Sequence, residues 1–198
     1  MNTYAYPVAA CWFAFVAYWA VSAFSAKRNL AGSGFRRGMY VRLATIVAVI
    51  AVLHFTRAGN VAPHAGATPR SGIWAEFFSN ALVRWVGVGL CAMGIALAIW
   101  ARTIIGKNWG MPMSLKEDPE LVTSGPYAHI RHPIYTGMLF AMLGSGLAIS
   151  PIVLLPFLVF GAYFIYSAIK EEEAMTKQFP DVYPDYRRRT NMLIPFLL

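Results

Sequence analysis

Five apolar runs constrain this chain more than any other feature of its sequence. A helix needs about 20 apolar residues to cross the hydrocarbon of a bilayer, within a range near 17–25. Residues 5–24, 39–55, 82–105, 134–149 and 152–168 are apolar over that length or a little less. Only Ser150-Pro151 separates the last two, which marks a tight turn and predicts a helical hairpin. Charged residues make up 13% of the chain and hydrophobic ones 58%, whereas a soluble domain carries about 25% charged residues. The expected fold class is therefore all-α integral membrane with five transmembrane helices. No internal repeat or linker divides residues 1–198, so a single membrane-embedded domain is expected. The first run begins almost at once, without a basic leader or a small-residue cleavage site, and reads as a span, not a signal peptide.

Basic residues choose the orientation. The first loop carries Lys27, Arg28, Arg36, Arg37 and Arg42, and the connection between the third and fourth spans carries Arg102, Lys107, Lys116 and Arg131. Lys170, Lys177, Arg187, Arg188 and Arg189 follow the fifth span. With five spans these fourteen lie on one side, and only Arg57, Arg70 and Arg84 lie on the other. The charge-rich side is expected to be cytoplasmic and the N-terminus external. The Gly-, Pro- and Ala-rich stretch from Arg57 to Asn80 then reads as a flexible external loop. The net charge of +8 fits topology and anionic headgroups better than it fits nucleic acid. Cys11 and Cys91 lie inside apolar runs and read as small hydrophobes. Neither Cys-x-x-Cys nor His-Glu-x-x-His occurs, so no metal site is expected.

Two polar clusters interrupt this pattern. One is Leu121-Val122-Thr123-Ser124-Gly125-Pro126-Tyr127-Ala128-His129-Ile130-Arg131-His132-Pro133-Ile134-Tyr135-Thr136-Gly137, and the other is Lys170-Glu171-Glu172-Glu173. Ionisable side chains beside a membrane are costly to place and are usually kept for function. Pro133 suits the first turn of a helix, and a helix start beside His132 offers free N–H groups and a positive dipole end to an anion such as a carboxylate. Tyr127 and Tyr135 can offer ring faces to a cation and hydroxyls to polar groups, or can belong to an interfacial aromatic belt. Thr136 and Gly137 are small enough for a neighbouring helix or ligand to come close. Glu171 and Glu172 oppose the dipole at a helix C-terminus, unless the helix continues past the membrane.

Leu121-Val122-x-x-Gly125-Pro126-Tyr127-x-x-x-Arg131-His132-Pro133-x-Tyr135-x-Gly137, then Glu171-Glu172, then Phe179-x-x-x-Tyr183-x-x-Tyr186 and Pro195, resembles the isoprenylcysteine carboxyl methyltransferase family, to which phospholipid N-methyltransferases are related. The resemblance runs from about Gly106 to Pro195. It implies a membrane methyltransferase that uses S-adenosyl-L-methionine without a Rossmann domain, and the chain indeed has no Gly-x-Gly-x-x-Gly. It implies cofactor contacts from Pro119, Glu120, Leu121, Val122, Tyr127, His132, Pro133, Ile134, Tyr135 and Glu171, with Arg131 and Glu171 as catalytic residues. Segments 106–133 and 169–198 would then form a cofactor site facing the cytoplasm, with a bacterial inner membrane favoured over the endoplasmic reticulum.

Two departures bear on the acceptor. Phe179-Pro180 replaces the family's Phe-Gly, and Ser167 stands where eukaryotic members carry an arginine associated with the acceptor carboxylate. Lys170 or Arg131 is left to substitute for it. The expected acceptor is a lipophilic or prenylated molecule entering from among the membrane lipids. Isoprenylcysteine carboxyl O-methylation is the first reading, with phospholipid amine N-methylation and a sterol-type NADPH reductase as alternatives.

Overall fold

A computed structural model describes residues 3–23, 72–109 and 120–193. Six α-helices occur among them: α1 (Ala5–Ala23), α2 (Ile73–Ser79), α3 (Ala81–Ile105), α4 (Pro133–Ala148), α5 (Leu154–Gln178) and α6 (Tyr183–Arg189). No strand is present among the described residues, only one isolated parallel bridge between Ile130 and Asn191. Three segments, Ala5–Ser22, Ala81–Asn108 and Pro151–Gln178, are long and apolar enough to cross a membrane, and Pro133–Ala148 is a shorter apolar helix. The expected second span, 39–55, lies outside the described residues, as does the whole of the basic first loop.

Local chemistry explains the helix ends. The Asn80 side chain accepts the Leu82 N–H at 2.8 Å and caps α3. Arg84 donates from Nε to the Phe78 carbonyl at 2.8 Å, holding α2 against the α3 start. The stretch expected to be a flexible loop up to Asn80 is thus helical over Ile73–Ser79, because the apolar Ile-Trp-x-x-Phe-Phe sequence there is followed directly by a capping asparagine. The predicted hairpin forms, turned by a 3-10 segment over Pro151–Val153. Its second arm does not stop at 168 but continues to Gln178. Lys170 to Gln178 are mostly good helix formers, and Lys170 bonds Glu173 one turn on at 2.9 Å. The acids therefore lie inside a continuing helix and not at its terminus.

The centre of the fold is the crossing of α3 and α4, the most extensively packed helix pair among the described residues. Glycines make the approach possible. A Cβ on Gly94 would meet the Gly137 carbonyl at 2.4 Å, and one on Gly137 would meet the Gly94 carbonyl at 2.5 Å. Gly87 and Gly144 face each other in the same way one level away. Such small-residue contacts suit helices that associate by backbone packing in an apolar solvent. α1 lies against this pair through Val8 and Phe15, with Cys91 in the same core and Trp12 donating to Ser145 Oγ at 3.0 Å. Both cysteines are free thiols, as expected of small apolar residues.

Arg102 departs from its expected place. Counted in the sequence as a charge of the loop after the third span, it is fully buried in the last turn of α3. Its guanidinium donates to the Gly106 carbonyl at 2.7 Å and the Ser22 carbonyl at 2.8 Å, and it lies 4.7 Å from the Trp109 ring centroid. It ties the C-terminal ends of α1 and α3 together, where helix carbonyls lack intrahelical partners.

Candidate active site

The His-Pro segment begins α4 as expected. His132 is the N-cap and Pro133 the first helical residue, and no side chain caps this end. Thr136 N–H already returns to the His132 carbonyl at 3.1 Å. Among the described residues, the N–H groups of Ile134 and Tyr135 at this helix start meet no backbone or side-chain acceptor. Pro126 and Tyr127 are buried in a 3-10 turn just ahead of it. Gly125 enters that turn with φ near +60°, and a Cβ there would also press on Ile104 of α3 at 3.1 Å.

α5 brings the two glutamates to this helix start from opposite sides of His132. Glu171 accepts a 2.6 Å hydrogen bond from the Tyr135 hydroxyl and lies 3.5 Å from His132 Nδ1. Glu172 lies 3.5 Å from His132 Nε2, an ion-pair contact longer than a usual hydrogen bond. The imidazole stacks on Tyr135 with centroids 5.5 Å apart, and Tyr135 stacks on Phe164 at 4.6 Å. Burial disfavours the charged imidazolium, but the two carboxylates outweigh it and raise the His132 pKa above its ordinary value. Burial raises the Tyr127 pKa and pushes that of Tyr186 up to about 12, so both phenols stay neutral at physiological pH.

The adjacent glutamates do different work. Glu172 is buried and bound by Arg131 Nε at 2.6 Å and by Arg187 Nε at 3.2 Å. Glu171 is partly open, with 24% of its side chain exposed, and meets no arginine among the described residues. Arg131 is committed as well: it donates to the carbonyls of Thr190 and Arg187 in addition to Glu172. Its guanidinium holds the C-terminal segment against the helix start and is not presented to an acceptor. Lys170 points to Glu173 in solvent. Ser167 is fully buried on α5 with an unpartnered hydroxyl. Neither cation is therefore turned toward Ser167, where the resemblance led to an arginine.

Sequence reasoning missed the strap that fixes this arrangement. Arg131 N–H donates to the Asn191 carbonyl at 2.8 Å, His132 N–H to Met192 at 3.1 Å, and Asn191 N–H to His129 at 3.0 Å. Thr136 Oγ1 donates to the Leu193 carbonyl at 2.5 Å, and the Tyr186 hydroxyl to the Tyr127 carbonyl at 2.7 Å. Tyr183 and Tyr186 are buried, consistent with their helical spacing. Phe164, Thr190, Met192 and Leu193 carried no sequence signal of their own. Of the remaining expected contacts, Leu121 and Val122 run partly buried ahead of the turn, and Glu120 accepts from Asn108 at 3.1 Å. Pro119 and Pro195 lie outside the described residues. Among the described residues no group of three or more His, Cys, Asp or Glu could hold a metal.

A fold of apolar helices with this polar helix start defines a class of integral membrane proteins, and the sequence comparison names it. The Phospholipid methyltransferase family matches over residues 82–182, and the chain belongs to that family. It is 30% identical over 142 residues to the nickel-cobalt-cadmium resistance protein NccN of Alcaligenes xylosoxydans xylosoxydans, covering 65% of each chain. It is 28% identical over 138 residues to the protein-S-isoprenylcysteine O-methyltransferase of Tribolium castaneum, covering 63% of this chain and 49% of that one. Among solved structures it resembles a eukaryotic intramembrane Ras methyltransferase, isoprenylcysteine carboxyl methyltransferase. The TM-score is 0.58 at 25% identity, over 79% of this chain and 53% of that one. The chain thus spans less than two thirds of each of these relatives.

Proposed function

We propose that this protein is an S-adenosyl-L-methionine-dependent methyltransferase acting on a lipophilic acceptor, first among them an isoprenylcysteine-like carboxylate. The observation that carries the reading is the start of α4, where the N–H groups of Ile134 and Tyr135 meet no acceptor among the described residues and the Glu171 carboxylate is partly open. These residues suit the amino-acid end of the cofactor. Ile134 and Tyr135 N–H would hold a carboxylate, and Glu171 would take an ammonium, its orientation set by the Tyr135 hydroxyl. Leu121, Val122 and Tyr127 would flank the remainder. Bound there, the cofactor supplies an electrophilic sulfonium methyl group.

The protein's share of the chemistry is orientation and exclusion of water. A carboxylate or thiolate acceptor is already nucleophilic and needs no base. An amine would have to lose a proton, for which Glu171 is the nearest open carboxylate. Arg131 and Glu172 act in this reading as positioning residues that hold the C-terminal strap and His132 in place. Phospholipid amine N-methylation is the second reading, favoured by the description of the matching family; nothing comparable favours the reductase. The proposal extends to a cytoplasmic site in a five-span protein, supported by the distribution of basic residues.

Methyl-labelled cofactor with a farnesylated cysteine acid and phosphatidylethanolamine in competition, read by mass spectrometry, separates ester from N-methyl product. Glu171→Gln should weaken S-adenosylhomocysteine binding about tenfold or more by calorimetry, the loss of a charge-assisted contact worth roughly 1.5–3 kcal/mol. Label transfer to neither lipid, together with unchanged binding in the folded variant, refutes the reading.

A further inference from the structure

Two exposed arginines of α6 line a second concavity. A cleft of about 360 Å³ opens between the end of α5 and α6, lined by Thr176, Pro184, Arg187 and Arg188. Its volume falls in the usual range for small-ligand sites. We propose that this cleft takes the phosphate group of an anionic lipid headgroup, gripped by the guanidinium groups of Arg187 and Arg188.

Three observations support it. The first is the charge that faces the cleft. Arg187, Arg188 and Arg189 end α6, where the helix dipole favours cations, and all three are exposed. The acids nearest in the structure do not cancel the two lining arginines. Asp185 pairs with Arg188 only at the surface, both side chains more than two-thirds exposed, and such pairs exchange easily for a better-placed anion. Glu172 holds Arg187 through Nε and Oε2 at 3.2 Å, leaving the two terminal nitrogens of that fork. Paired planar guanidiniums match a phosphate's oxygens in a way that a lysine cannot.

The second observation is depth. The apolar run of α5 ends at Ile169, where Lys170-Glu171-Glu172-Glu173 begins, and Thr176 lies about 10 Å further along the helix axis, the depth at which headgroups would meet a helix whose apolar run fills the hydrocarbon. The third is that two helices build the cleft. The Thr176 hydroxyl is turned back to the Glu172 carbonyl at 2.8 Å, and Pro184, the second residue of α6, lines the cleft from that helix. Arg187 joins the cleft to Glu172 and through it to Arg131 and His132.

The site does not depend on the methyl-transfer reading, and its test needs no turnover. The full-length protein in neutral detergent is titrated with short-chain phosphatidylglycerol, with inorganic phosphate, and with a diacylglycerol of the same chain length, and binding is followed calorimetrically. Saturable binding is expected, weakened at least fivefold in Arg188→Gln and less than twofold in Arg189→Gln, which removes the same charge outside the cleft. Binding of both phosphatidylglycerol and inorganic phosphate in competition identifies the phosphate alone as the determinant, and binding of the lipid only identifies the intact headgroup; either supports the site. Equal weakening by the two substitutions reduces it to diffuse attraction and overturns the proposal. So does diacylglycerol binding as well as the phospholipid, or an absence of saturable binding.

Discussion

His132 is the residue on which the local energetics turn. Its ring is buried, stacked on Tyr135 and flanked by carboxylates 3.5 Å from each nitrogen. Burial opposes its charge, yet Glu171 and Glu172 raise its pKa above the ordinary value of 6.5. A group with a raised folded-state pKa holds its proton more tightly in the native than in the unfolded chain. Its stabilisation is complete below about pH 6.5 and is lost as pH rises through the elevated native value. The unfolding temperature in detergent should therefore fall as pH is raised across that window, and His132→Gln should reduce the slope. An identical slope in both proteins would place the titrating group elsewhere. Neighbouring residues of one type also diverge at this scale: Glu172 is saturated with arginines, whereas Glu171 remains partly open. The doublet looks symmetric in sequence, and only the helical rotation of about 100° between consecutive residues separates the two roles.

At the scale of elements, the α3–α4 crossing sets the geometry that the site inherits, because α4 carries His132 at its start and α3 carries the Gly125–Ala128 turn against Ile104. Gly94→Ala or Gly137→Ala would drive a methyl group into backbone at 2.4–2.5 Å. Helix backbone cannot yield as a flexible side chain can, so each should cost roughly 1–3 kcal/mol or more. Gly89→Ala on the same helix meets nothing within 4 Å and should be neutral or slightly stabilising, since alanine favours helix. Thermal unfolding of the three variants in detergent tests this. Equal stability across them would mean that the helices can separate freely. The crossing was partly legible, since Thr136 and Gly137 already stood out as small; their partners on α3 did not, because nothing local specifies which faces of two helices meet.

For the whole molecule, the decisive feature is that the segment after α6 returns to the helix start. Thr190 to Leu193 bond the backbone or side chains of His129, Arg131, His132 and Thr136. A chain ending at Arg189 should still insert and keep its helical circular dichroism, since its apolar spans are intact. It should bind S-adenosylhomocysteine at least tenfold more weakly, because several hydrogen bonds worth about 1 kcal/mol each no longer order the loop. Undiminished binding by the truncated chain would show that the strap is dispensable.

The amino-acid sequence by itself determined the features that depend on near neighbours. These are the apolar spans, the turn at Ser150-Pro151, the helix start at Pro133 and the cluster from Gly125 to Tyr135. Each rests on composition or on backbone preferences within a few residues. The length of α5 escaped because hydropathy reports where a membrane ends, not where a helix does. Tertiary structure decided the rest. Arg131 meets Glu172 across 41 residues, and Thr136 meets Leu193 across 57. Arg102, counted in the sequence as a loop charge, became a buried tie to a helix 80 residues away. Local pattern carries no information on such pairs, because a buried charge or donor is satisfied by whichever group the packing of helices brings to it.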